Sequence, residues 1–149
     1  MIEGVKIIPK KQINDSRGKV MHMMRSDDNH FTKFGEIYFS YSFSNVVKAW
    51  SQNKFMTKNY VCIEGKIKLV LFDDRLESTT NGTFQEIFLN TENYNLVIVP
   101  PRIWIGFKTL NSKSSILANC SDIPHNPEEI IKKPYNDPYF KYDWNIKDK

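Results

Sequence analysis

The chain has 149 residues, a formal net charge of +4, and 40% hydrophobic, 26% charged and 13% aromatic residues. That length suits a single domain, residues 1–149, able to bury roughly 68–70% of its unfolded surface, and the apolar fraction excludes disorder as the main state. No run of about 18 apolar residues suggests a membrane span.

Strand signals dominate in chain order. Val5-Lys6-Ile7-Ile8-Pro9 opens the sequence, and Lys19-Val20-Met21-His22-Met23 follows the turn-like Asn14-Asp15-Ser16-Arg17-Gly18. Residues 35–44 (GEIYFSYSFS) alternate and are rich in aromatics, as a half-buried strand should be. Residues 60–63 and 67–72 flank Glu64-Gly65-Lys66, which reads as a short hairpin connection. Residues 83–89 and 95–99 are further strands, the second stopped by Pro100-Pro101, and residues 115–120 form the last clear one. The helix candidate is residues 126–133, with an Asn126 cap, Pro127 at the first position and lysines at its end; one or two turns are expected. Beyond Lys133 the polar, aromatic tail carries Pro134 and Pro138 and should drape over a sheet. Short strands with almost no helical period indicate an all-β sandwich or barrel.

The charge and the rare residues narrow the chemistry. The lysines are scattered and interleaved with acids, unlike a phosphate-tracking surface, so no nucleic-acid or membrane partner is expected. Phosphate-cradle and nucleophile-elbow motifs are missing. Cys62 and Cys120 form neither a disulfide framework nor a CxxC pair and read as reduced, mostly buried thiols. The first residues have no apolar segment of signal-peptide length, so a cytoplasmic location is the expectation.

Five motifs then stand in order: Asp15-Ser16-Arg17-Gly18, Val46-Val47-Lys48-Ala49-Trp50, residues 69–75 (LVLFDDR), residues 99–107 (VPPRIWIGF) and Tyr135-Asn136-Asp137-Pro138. Together they resemble the dTDP-4-dehydrorhamnose 3,5-epimerase family over residues 15–144. The resemblance implies a cupin double-stranded β-helix (jelly roll), a homodimer with an exchanged N-terminal segment, and a role in cell-surface polysaccharide or deoxysugar biosynthesis. It also implies a dTDP-, GDP- or CDP-linked 4-keto-6-deoxy sugar as ligand. A base removes a proton next to the keto group, the enolate is stabilised, and a proton returns to the opposite face, with no metal and no cofactor.

The chain departs from that pattern. Ser51 stands where the family has its catalytic His, Ile105 where it has a second one, and the family's Tyr falls near Ala118 or Asn119. His22, His30 and His125 lie outside the motifs and read as surface or structural residues. Ser51 and Asn53 likewise cannot form an imidazole cage, which excludes a transition-metal site, and no base stands ready to make Ser51 a nucleophile. Lys58 matches the family's active-site Lys and would stabilise an enolate oxygen, or else is a surface lysine at a strand start. Asp137 matches the Asp that pairs with the His, or else forms a turn before Pro138. Arg17 and Lys48 match positions that bind phosphate or sugar, or else are surface cations. Tyr38, Trp50, Tyr60 and Trp104 are spaced to point into a barrel mouth, or else are core. The catalytic candidates are thus Lys58, Asp137 and Tyr60, and the substrate-binding candidates Arg17, Tyr38, Lys48, Trp50, Ser51, Asn53 and Trp104. Lys58, Tyr60 or Tyr38 must replace the missing base in an enzyme; a catalytically silent sugar-nucleotide binder, or a stabiliser of a partner enzyme, is the other reading.

Overall fold

A computed structural model describes residues 1–110 and 113–145. The strands are β1 (Lys6–Pro9), β2 (Gln12–Asp15), β3 (Gly18–Met21), β4 (Glu36–Phe43), β5 (Val47–Asn53), β6 (Lys58–Glu64), β7 (Lys66–Asp73), β8 (Phe84–Asn90), β9 (Asn95–Val99), β10 (Ile103–Thr109), β11 (Ser114–Ser121) and β12 (Ile130–Lys132). Two antiparallel five-stranded sheets face each other, in orders β1-β9-β6-β11-β4 and β12-β5-β10-β7-β8, and β2-β3 is a separate hairpin. Among the described residues no helix is long and apolar enough to cross a membrane.

The period-2 alternation of the strands divides each sheet into two faces. The inner faces contribute Tyr60, Cys62, Ile67, Leu69, Leu71, Ile87, Leu89, Val97, Val99, Ile103, Ile105, Phe107 and Leu117 to one core. Outside the first sheet, Val61, Leu96, Ile98 and Ala118 are covered by Ile8, Met21, Met23 and Met24. Outside the second sheet, Trp50, Val70 and Trp104 are covered by Phe140 and Trp144 of the tail. Cys62 and Cys120 are free, and burial pushes the Cys62 thiol up to about 11.

Two local expectations change. Residues 64–66 do not close a hairpin: β6 and β7 belong to different sheets, and Gly65, at φ 75°, turns the corner between them. The helix at 126–133 is one 3₁₀ turn, Pro127–Glu129, capped by the Asn126 side chain, and the chain then straightens into β12 alongside β5. Edge pairing with β5 there outweighs the local helix signal.

The tail lies across the second sheet as expected, and the sequence at its dock explains why. Trp50 stacks on Phe140 with ring centroids 4.3 Å apart. Asp74 accepts hydrogen bonds from Gln52 Nε2, Trp104 Nε1 and the Tyr139 hydroxyl. The Trp144 carbonyl accepts from Lys68 Nζ and Lys108 Nζ. Gly106 is required under this ring, because a Cβ there would lie 2.8 Å from Trp144 and 2.5 Å from the Ala49 Cβ. Phe140→Ala removes the central stacked ring and is expected to cost about 3 kcal/mol. Urea unfolding checks this: the midpoint falls with the slope unchanged, whereas an unmoved midpoint would show that the tail adds little to stability.

Candidate active site

At the open end of the inter-sheet core the apolar side chains give way to a cavity of two communicating chambers, of about 330 and 390 Å³. Tyr38, Ser51, Lys58 and Lys132 line both. The first chamber adds Ser40, Lys48 and Tyr60 over a floor of Ile105, Phe107 and Leu117; the second adds Glu36, Asn53, Met56, His125 and Ile130. The size and the few polar groups converging on apolar walls fit a small-molecule site.

Two walls carry the polar side chains of the cavity. From the first sheet, β4 sends Glu36, Tyr38 and Ser40 inward, and β6 sends Lys58 and Tyr60. From the second sheet, β5 contributes Lys48, Ser51 and Asn53, and β12 places Lys132 directly opposite Ser51 in the β5–β12 register. Lys58 is only 7% exposed and has no ion-pair partner among the described residues. Burial draws its ammonium pKa below the usual lysine range, opposed by Tyr38 and Glu129. Its Nζ lies 5.9 Å from the centroid of the Tyr60 ring. Burial also raises both phenols, Tyr38 to about 12 and the more deeply buried Tyr60 further, so both keep their protons at neutral pH. Lys48 Nζ is held at the rim by the Tyr41 carbonyl, 2.6 Å away, and by Ser40 Oγ. Among the described residues no three His, Cys, Asp or Glu side chains converge on a point that could hold a metal ion.

Of the sequence candidates, Tyr38, Lys48, Ser51, Asn53, Lys58 and Tyr60 meet in this cavity. Trp50 borders it, but its ring turns outward into the stack with Phe140. Trp104 does not point into the mouth: it sits on the outer face of β10 with its Nε1–H on Asp74. Asp137 is not a wall residue. Its Oδ1 accepts the Tyr139 N–H, and its Oδ2 lies 3.8 Å from Lys133 Nζ. Arg17, at the tip of the β2–β3 hairpin, has an 88% exposed side chain paired to Asp15 and does not reach the cavity of its own chain.

Lys132 and Glu36 were not singled out from sequence, and His125 was read only as a surface or structural residue. Lys132 and His125 reach the cavity only through the pairing of β12 with β5, which no local pattern announces. Asn119, fully buried, accepts the Asn59 N–H with its Oδ1 at 2.9 Å; its Nδ2 lies beside Tyr38 without a well-formed hydrogen bond. Glu36 was hidden in a strand otherwise notable for its aromatics.

The sequence profile of the dTDP-4-dehydrorhamnose 3,5-epimerase family matches residues 1–149. A probable low-salt glycan biosynthesis epimerase, Agl13 of Haloferax volcanii, is 32% identical over 141 residues, covering 90% of this chain and 89% of the relative. A dTDP sugar isomerase from Desulfovibrio desulfuricans has the same fold with a TM-score of 0.94, 37% identity and coverage of 96% of this chain and 92% of that one. RmlC, a dTDP-6-deoxy-D-glucose-3,5-epimerase of Legionella pneumophila seen in complex with dTDP-4-keto-L-rhamnose, superposes with a TM-score of 0.83 at 25% identity, covering 96% of this chain and 79% of that one. With its profile matched from end to end and its jelly-roll fold shared with these enzymes, the chain belongs to the dTDP-4-dehydrorhamnose 3,5-epimerase family.

Proposed function

We propose that the protein is an epimerase of glycan or deoxysugar biosynthesis that takes a dTDP-linked 4-keto-6-deoxy sugar and uses lysines where its family uses histidine. The observation that carries this is Lys58, an amine buried on the cavity wall with its pKa lowered by desolvation. A lowered pKa gives a larger fraction of the free amine at neutral pH, as a general base requires. Neutral Lys58 takes the proton from the carbon next to the keto group, and the C–H electron pair passes into the enolate. The ammonium so formed then faces the enolate oxygen, to which Tyr38 offers its phenol O–H. Lys132, on the facing sheet and open to solvent, returns a proton from the opposite side. Exchange with water resets both amines. Tyr60 packs beside Lys58 and Tyr38 and limits their movement. Lys48 at the rim, together with Lys132, offers positive charge to a diphosphate.

A second reading keeps the ligand and drops the turnover. Ser51 and Ile105 at the family's histidine positions favour a sugar-nucleotide binder without catalysis.

The homodimer belongs to the same proposal. β4 is an edge strand whose outward residues Ile37, Phe39, Tyr41 and Phe43 are all exposed, an apolar stripe that a soluble monomer leaves uncovered. A second copy covering this stripe would also receive the exposed Arg17 hairpin. Sedimentation is expected to give a dimer for the natural chain and a monomer for Phe39→Lys with Phe43→Lys; a monomeric natural chain would sink the idea.

The reaction is checked in deuterium oxide with dTDP-4-keto-6-deoxy-D-glucose, by mass spectrometry of the recovered sugar. The natural chain should incorporate solvent deuterium, and Lys58→Met should slow incorporation by about 100-fold or more. Wild-type exchange in Lys58→Met would remove Lys58 as the base. Binding without any exchange by the natural chain would establish the silent reading. In that case Ser51→His with Ile105→His is expected to create measurable exchange on an intact pocket.

The same substitution has an opposite effect on stability. The Lys58 pKa is lower in the folded protein than in the unfolded chain, so the unfolded chain binds the proton more tightly and folding carries a cost below the folded pKa. That cost fades as pH rises toward the unfolded lysine value of about 10.4. Lys58→Met is therefore expected to stabilise the protein at pH 7 by ~1 kcal/mol, about 2–4 °C in Tm. The gain should shrink by pH 10.5, and calorimetry at the two pH values checks it.

A further inference from the structure

The second chamber holds an amide whose orientation is dictated from behind. Asn53 is 3% exposed, and its Nδ2 donates to the Glu129 carboxylate and lies 3.8 Å from Met56 Sδ. Glu129 also accepts the backbone N–H groups of Phe55, at 3.0 Å, and Met56, at 3.4 Å. A carboxylate bound by three donors can only accept, so the Asn53 amide must present its NH₂ to it. A flipped amide would set oxygen against oxygen. Asn53 Oδ1 is thereby turned away from Glu129, and there it is buried and meets no donor. Glu36, on the facing wall of the same chamber, has a buried Oε1 that is also without a partner.

Two residues that line one chamber each carry a buried acceptor without a partner, and such acceptors call for a donor. Lys58 and Lys132 line the same space, and their ammonium forms would repel a cationic donor, so the matching group is neutral. A water molecule can satisfy such acceptors in the free protein, but a chamber of about 390 Å³ has room for a sugar ring. Resting on the nucleotide-sugar reading above, we propose that Asn53 Oδ1 and the Glu36 carboxylate form a specificity subsite that accepts hydrogen bonds from a ring hydroxyl of the sugar, with Glu129 as the positioning residue that fixes the amide. In a 4-keto-6-deoxy hexose linked through C1, the hydroxyls that remain are those on C2 and C3. The subsite therefore selects for one of these two, and 2-deoxy or 3-deoxy substrates are the ones it rejects. A site built to pair with a hydroxyl discriminates strongly against the analogue lacking it, because its own buried acceptor is left unpaired.

The test is calorimetric titration of the full chain with dTDP, with dTDP-6-deoxy-D-glucose, and with the 2-deoxy and 3-deoxy forms of that sugar nucleotide. None of these carries the keto group, so none turns over. The natural chain is expected to bind one deoxy form at least tenfold more weakly than the parent sugar. Asn53→Leu should weaken the parent by a similar factor, abolish the discrimination and leave dTDP binding unchanged. Glu36→Gln, at a half-buried position that folding tolerates, should also narrow the discrimination, which guards against Asn53→Leu failing to fold. Glu129→Gln frees the amide to turn over, and is expected to reduce discrimination between sugars. Equal affinity of the natural chain for the parent and both deoxy forms would overturn the subsite and leave the nucleotide-sugar reading standing. Failure of dTDP and of every sugar nucleotide to bind would overturn that reading, and the subsite with it.

Discussion

Glu129 sends its carboxylate from the 3₁₀ turn into the bend between β5 and β6, where it takes the N–H groups of Phe55 and Met56 and the Asn53 amide. Burial alone would favour the protonated acid, but these hydrogen bonds outweigh desolvation and hold its pKa below the usual glutamate range. The surrounding geometry follows from that one charge. It fastens the C-terminal segment to the bend, so that β12 can pair with β5 and place Lys132 opposite Ser51. It also adds to the larger effect of Tyr38 in opposing the lowering of the Lys58 pKa by burial. The placement of Lys132 and the orientation of the Asn53 amide thus share a single anchor.

The second sheet serves two environments at once. The inner sides of β5 and β10 meet the cavity through Lys48, Ser51, Ile105 and Phe107, while their outer sides hold Trp50 and Trp104 under the tail. On β5 the pairing with β10 shifts register between Ser51 and Lys48, so both of these reach the cavity while Trp50 between them faces outward. Asp74 fixes the outer layer by binding Gln52, Trp104 and Tyr139 together. The outer aromatic layer is thus the mechanical support of a wall whose other side lines the cavity.

Much of this was legible in the sequence, and the failures have physical causes. Strands such as β4 and β8 were readable from alternation, and the family motifs pointed to the jelly-roll architecture. The segments that became β5 and β10 entered the sequence reading as motifs; on β5, lysine, serine and asparagine toward the cavity interrupt the apolar pattern that marks a strand. Gly65 announced a chain reversal, but a turn residue does not say which sheet the next strand joins. Trp50 and Trp104 were read as pointing into the barrel mouth or else as core, and both rings lie in the core layer outside the second sheet. Lys132, His125 and the orientation of Asn53 depend on long-range pairing and on hydrogen bonds, to which a local pattern is blind.

The placement of β12 and the aromatic tail bears on how the protein is made. A ribosome releases the chain from its N-terminus, so β5, β6 and β10 emerge before the residues that complete them. Until Glu129 and Lys132 follow, the bend after β5 has no carboxylate to gather its N–H groups, and the cavity lacks one of its lysines. The outer tryptophans wait longer still, for Phe140 and Trp144. A nascent chain therefore leaves Trp50 and Trp104 uncovered until about 35 residues beyond β10 have been added.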